Sequence, residues 1–228
     1  MGEQMPTLLA LKFMILMVMT TMAVFAAIES PTYTVVHSES DFEIRVIRSS
    51  VWVSATVDEI SFNQATQLGF HRLFQYIQGA NLNSSRVPMT KPVLTGIVPS
   101  AGPFCSSAFA VRFYVPVEFQ ESPPTALPEL HLKAEKWGEK CVAVRPFSGF
   151  AKDSNVAKQA ALLEASLQKT PWANATDLTP KDGEDVYAIA QYSSPFQIFG
   201  RLNEVWVDIG DSDVCHLALK TKVGSAEV

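Results

Sequence analysis

The sequence has 228 residues, a formal net charge of -5 at pH 7, and 4 Trp and 14 Phe. Lys and Arg are scattered among acids and form no basic stripe, which excludes nucleic-acid recognition, while the aromatic content suits a well-packed globule. Beyond the N-terminal apolar segment about two hundred residues remain, enough for one core or two closely fused halves, and a single domain is expected.

At the N-terminus, Lys12 precedes a run from Phe13 to Ala27 that carries no charge. Val24 and Ala26 supply the small residues of a signal-peptidase site, predicting a signal peptide over residues 1–26, a domain over 31–209 and a tail over 210–228. The alternative is an uncleaved anchor, because Leu8 to Ile28 reaches the roughly twenty residues that span a bilayer. Short strands follow by apolar alternation: Tyr33 to His37, Phe42 to Val46, and Val51 to Val57. A helix comes next, with Ser61 and Gln64 as a capping box, Leu73 and Ile77 one turn apart, Phe70 and Phe74 likewise, and Gly79 as its stop. Its aromatic face, beside a loop with Arg86, Met89 and Lys91, reads either as a core helix with a surface loop or as the wall of a cleft. Such a cleft would suit a flat apolar molecule bearing acidic groups.

Strands near Val93 to Val98 and Phe109 to Val115 close the first half, and a loop with Ser122-Pro123-Pro124 divides the chain. The second half repeats the order. Strands at Leu130 to Ala134 and Cys141 to Arg145 lead to a helix from Ser154 to Lys169, whose stripe is Val156, Ala160, Leu163 and Leu167. Strands at Val186 to Tyr192 and Asn203 to Ile209 end the series. The predicted fold is therefore α+β: a duplicated strand-strand-helix-strand-strand unit with pseudo-twofold symmetry. It forms a distorted, mostly antiparallel β-barrel of eight or nine strands flanked by two helices.

Two sequons, at Asn83 and Asn174, fall in loops after the two helices and mark glycosylation sites. With the N-terminal segment they place the glycoprotein in the secretory pathway, outside the cell or in a vacuole. Cys105, Cys141 and Cys215 lack CxxC spacing, so the default is buried or free thiols, and a bridge, if one forms, is expected between Cys105 and Cys141. GxSxG and HExxH are absent, Cys141 has no histidine near it in sequence, and Glu135, Glu139 and Glu204 read as surface charges or structural pairs. The chain is therefore read as a non-enzyme, with a monomer as the expected state and membrane contact only through an uncleaved N-terminus.

Several runs in one order carry a family resemblance: Gly69-Phe70, Tyr76-Ile77-Gln78-Gly79 and Asn81, Met89-Thr90 with Pro92-Val93, and Pro116 through Pro124. Gly149-Phe150-Ala151-Lys152, Ser194-Pro195, Gly200-Arg201 and Asn203-Glu204-Val205-Trp206 complete the series. Across roughly Tyr33 to Asp208 the chain resembles the SOUL haem-binding family, and residues 79–85 look like its plant branch. The resemblance implies a distorted β-barrel with two helices and binding of haem or another porphyrin in an apolar cleft. That cleft lies between the first helix and the loop before the last strand. It carries the binding role onto Gln67, Phe70, Phe74 and Gln75 of the helix and onto Phe196 and Gln197 of the loop, with Met89 and Lys91 nearby. Animal members place basic residues where this chain has Gln67, Gln75 and Gln197, so Arg72, Arg86, Lys91 and Arg201 become the candidate partners for propionates. One animal branch uses a histidine where this chain has Val46; His71 is the remaining candidate axial ligand, with His37, His131 and His216 less suggestive. Shape-based capture without tight coordination is expected. The alternatives are another amphipathic small molecule as ligand, or an enzyme that modifies a tetrapyrrole.

Overall fold

The computed structural model describes residues 28–98, 108–173, 185–210 and Cys215. The predicted signal segment, Cys105, Asn174, His216 and most of the predicted tail lie outside the described residues. The elements are β1 (Tyr33–Ser38), β2 (Glu43–Ile47), β3 (Ser50–Asp58), α1 (Phe62–Ile77), β4 (Val93–Val98) and β5 (Ala108–Tyr114). They continue with β6 (Leu132–Trp137), β7 (Lys140–Ser148), α2 (Val156–Leu167), β8 (Tyr187–Gln191) and β9 (Leu202–Asp208). Each expected strand and helix is present within a few residues of its predicted bounds.

The nine strands form one sheet in the order β1-β2-β7-β9-β8-β4-β5-β3-β6, every pair antiparallel. Exchanging β2 with β6, β3 with β7, β4 with β8 and β5 with β9 reverses this order onto itself, β1 aside. The duplicated unit is therefore real in space, and its axis falls between β4 and β8. The first strand of each unit pairs outside its own unit, β2 on β7 and β6 on β3. This exchange ties the two halves into one body.

Alternation divides the sheet into two faces. On one, Val51, Val53, Val111 and Phe113 meet Leu73 and Tyr76 of α1, and Ile44, Ala143 and Val205 meet Val156, Leu163 and Leu167 of α2. On the other, Trp52, Leu94, Val144 and Ala190 are at most 1% exposed although no helix among the described residues covers them. The sheet's own curl excludes water there: the strands bend into a distorted half-barrel with the helices outside. The interior also holds two buried charge clusters. Arg112 is bonded to Glu135 at 2.9 Å and Asp185 at 2.6 Å, and Arg45 to Glu43 at 2.7 Å and Glu204 at 3.0 Å.

Gly69 sits where α1 crosses β5, and a Cβ there would run into the Val111 side chain, so the close approach of helix to sheet requires glycine. Ser61 caps α1 by accepting from Gln64 N–H at 3.2 Å, as its sequence signature suggests. A second cap comes from the other half of the chain: Asp153 accepts from Phe62 N–H at 2.5 Å and from the Ser61 hydroxyl at 2.9 Å. One expectation is overturned. Cys141 is bridged to Cys215, with Cα atoms 6.5 Å apart, and not to Cys105. Cys215 lies in the core beside β7, a long-range approach that spacing along the chain does not encode.

Candidate functional site

Register defines a row of residues across the sheet on its helix-bearing face. Phe113 of β5 pairs with Val93 of β4, Val93 with Gln191 of β8, Gln191 with Asn203 of β9, and Asn203 with Phe147 of β7. α1 packs chiefly on β3 and β5, and α2 on β7 and β9, so β4 and β8 form the floor between the helices, a trough in which Val93, Thr95 and Ile189 are already buried and Thr66 of α1 meets Thr95 at 3.2 Å. One end of the trough is filled: Phe62 and Ala65 of α1 and Val156 of α2 close over Ile189. The other end is the row itself, where β8 runs into the 192–201 loop.

α1 supplies the first wall. Its axis climbs β5, with Phe62 beside Phe109 at 6.3 Å between ring centroids and Phe70 against Phe113 at 5.5 Å. Phe74, one turn on, stacks on Phe70 at 5.7 Å with planes 14° apart, and it remains 42% exposed. Gln67, His71 and Gln75 are exposed on the same helix. The helix period brings Gln67, Phe70, His71 and Phe74 to one face as i, i+3, i+4 and i+7. Met89 packs into the core under α1 and Lys91 is exposed, so the loop after α1 sends one candidate inward and one outward.

The 192–201 loop supplies the second wall, and Arg201 builds it. Its buried guanidinium donates to the carbonyls of Ser194 and Gln197 at 2.7 Å each and lies 4.3 Å over the Phe150 ring. The Gln197 amide donates to the carbonyls of Phe199 and Gly200 at 3.0 Å, so it closes the turn from within. Tyr192 fixes the loop's base through its hydroxyl, which donates to Glu204 at 2.7 Å; burial first, then the Glu204 carboxylate, pushes that phenol far above its ordinary value. Phe196 stands out from this scaffold at 90% exposure.

Phe150 and Lys152 belong to this wall although helix periodicity gave no reason to select them. They lie on the segment that Asp153 ties to the start of α1, Phe150 under Arg201 and the Lys152 ammonium 5.7 Å from the Phe150 ring. Their signal in sequence was the Gly149-Phe150-Ala151-Lys152 run. Of the cations considered, Arg72 donates to the Thr56 carbonyl at 2.5 Å and Arg86 is exposed. Arg201 differs: its Nε is buried and has no hydrogen-bond partner among the described residues, and neither has Asn203 Oδ1 in the adjacent row. Buried polar atoms left this way call for a partner, which an ordered water or a ligand's polar group would supply; Arg145 Nε and Trp172 Nε1 are in the same position elsewhere.

These residues fit a porphyrin by two tests. Stacked, half-exposed aromatics suit a flat macrocycle, and an orphaned guanidinium nitrogen suits a carboxylate. The candidate axial ligand, His71, is exposed on the same helix as Phe70 and Phe74.

Known proteins are similar to this sequence. Heme-binding protein 2 of Homo sapiens is 35% identical over 170 residues, covering 73% of this chain and 77% of that protein. Heme-binding protein 2 of Mus musculus is 34% identical over 166 residues, with coverage of 73% and 77%. Heme-binding protein 1 of Sus scrofa is 25% identical over 166 residues, covering 73% and 82%. The sequence model described as SOUL heme-binding protein matches residues 28–208. The chain belongs to the SOUL haem-binding protein family.

Proposed function

We propose that the protein binds haem or a related tetrapyrrole, without turning it over, in the trough between α1 and the 192–201 loop. The observation that carries this is the stacked Phe70–Phe74 pair, left half in water by a helix whose other face is fully packed. Burying apolar surface contributes about 25 cal/mol per Å², so covering one face of a macrocycle yields several kcal/mol without a metal bond. Arg201 Nε and the Lys152 ammonium are the groups that would receive propionates. Bound iron would supply redox and ligand-exchange chemistry; this chain's residues supply shape and a polar edge.

Titration with hemin, read at the Soret band, tests the assignment. Phe74→Asp puts a carboxylate where the ring should lie and is expected to weaken binding by tenfold or more, about 1.4 kcal/mol at the least. His71→Ala is expected to leave both the affinity and the band position unchanged. A His71→Ala protein that loses the spectrum, with Phe74→Asp binding normally, would reverse the roles.

A second reading, another amphipathic ligand, is favoured by one feature: Gln67 and Gln75 are neutral and the Gln197 amide is committed to its own loop. We further propose that the N-terminal segment directs the chain into the secretory pathway as a member of the plant branch. The exposed Asn83 sequon and the Cys141–Cys215 bridge support an oxidising, glycosylating compartment.

A further inference from the structure

Arg201 is buried as deeply as Arg45 and Arg112, but its company differs. Arg45 is bonded to Glu43 and Glu204, and Arg112 to Glu135 and Asp185, so both of those charges are neutralised where they lie. Arg201 has no carboxylate partner among the described residues. Its guanidinium donates to the carbonyls of Ser193, Ser194 and Gln197 and lies over the Phe150 ring. The 192–201 segment, Tyr-Ser-Ser-Pro-Phe-Gln-Ile-Phe-Gly-Arg, contains no acid either. Carbonyl dipoles and an aromatic face solvate a cation without neutralising it, and a buried charge left without a counter-ion is costly. The loop wall therefore holds one positive charge for which the described residues supply no anion.

The helix wall offers no second charge of this kind. Thr66 meets Thr95 of β4, so the trough side of α1 is the side of Thr66, Phe70 and Phe74, with Gln67 beside them. Arg72 is the only lysine or arginine of the helix, which contains no acid. Its guanidinium donates to the Thr56 carbonyl of β3, on the side of α1 away from the trough. Lys91 and Lys152 are exposed, and an ion pair made in water contributes little.

We propose that Arg201 makes the loop wall a subsite for one carboxylate, and that the trough takes flat apolar molecules with a single acid group, such as a tetrapyrrole with one of its two propionates esterified. A diacid binds there through one carboxylate while its second stays in water, so the second acid adds little. The proposal rests on the ligand reading given above and adds to it the number of acid groups that are read.

The test compares metal-free protoporphyrin IX, its monomethyl ester and its dimethyl ester, all in the same dilute detergent, by fluorescence titration of the unaltered full chain. The monoester is expected to bind within about threefold of the diacid, and the diester about tenfold or more weaker than the monoester. Equal binding of all three overturns the proposal and leaves the trough reading intact. A loss of about tenfold at each ester overturns it in favour of two carboxylate subsites. Saturable binding of none of the three contradicts the trough reading, and the proposal with it. Arg201→Gln then locates the charge, with diester binding at the parental level as the sign that the loop still stands. In that protein the advantage of the monoester over the diester is expected to vanish; an advantage that persists places the carboxylate elsewhere and refutes the assignment to Arg201.

Discussion

Glu135 is half-buried in a pair with Arg112, the second of the two readings, surface charge or structural pair, that the sequence left for it. Its carboxylate accepts from Arg112 at 2.9 Å, from the Ser54 hydroxyl at 2.7 Å and from Trp137 Nε1 at 3.3 Å inside the half-barrel. Burial pushes its pKa up, but Arg112 and the hydrogen bonds outweigh burial and hold it below the usual carboxylate range. A depressed pKa in the folded state contributes stability above the unfolded value, lost as pH falls through the folded one. Glu135→Gln should therefore cost about 1–3 kcal/mol at pH 7. Its deficit relative to the parent should shrink as the pH drops through the carboxylate range. Thermal unfolding of both proteins at neutral and acid pH checks this; a deficit independent of pH would contradict it. Glu204 is buried and bonded to Arg45 at 3.0 Å, whereas Glu139 meets the exposed Arg48 at 2.9 Å. Sequence leaves these three carboxylates alike because their burial depends on which strands curl over them.

At the scale of elements, α1 was readable because its determinants are local. The Phe70–Phe74 and Leu73–Ile77 spacings, the Ser61 cap and Gly79 all lie within twenty or so residues. Its second cap was not readable. Asp153 sits 91 residues from Phe62, and only the fold brings its carboxylate to the orphaned N–H groups of the first turn. Asp153→Ala leaves Ser61 in place but unties the two halves at this point, and it should lower stability by about 1–2 kcal/mol. The midpoint of urea unfolding measures that loss. An unchanged midpoint would mean that Ser61 alone satisfies the helix start. The same division explains the trough: its helix wall follows from periodicity, while the Arg201 scaffold and the partnerless Asn203 Oδ1 depend on carbonyls and strands that meet only after folding.

For the whole molecule, alternation and the repeated order of elements revealed the duplicated unit, because each half buries one helix and one sheet face by the same pattern. The exchange of β2 and β6 between halves stayed hidden, since edge pairing is chosen by long-range register. So did the Cys141–Cys215 bridge, 74 residues apart. The trough lies over the pseudo-twofold axis, but its two walls differ: α1 brings Phe70 and Phe74 on one side, and the loop brings Phe196 and Arg201 on the other. That asymmetry is why one flat ligand, bound mainly by apolar faces, is the central claim. Parallel titration with hemin and with metal-free protoporphyrin IX tests it most directly. The account predicts saturable binding of both, with dissociation constants within about threefold, a difference under about 0.7 kcal/mol. Hemin binding tighter by about a hundredfold or more, near 2.7 kcal/mol, would place the affinity in an iron bond and contradict it.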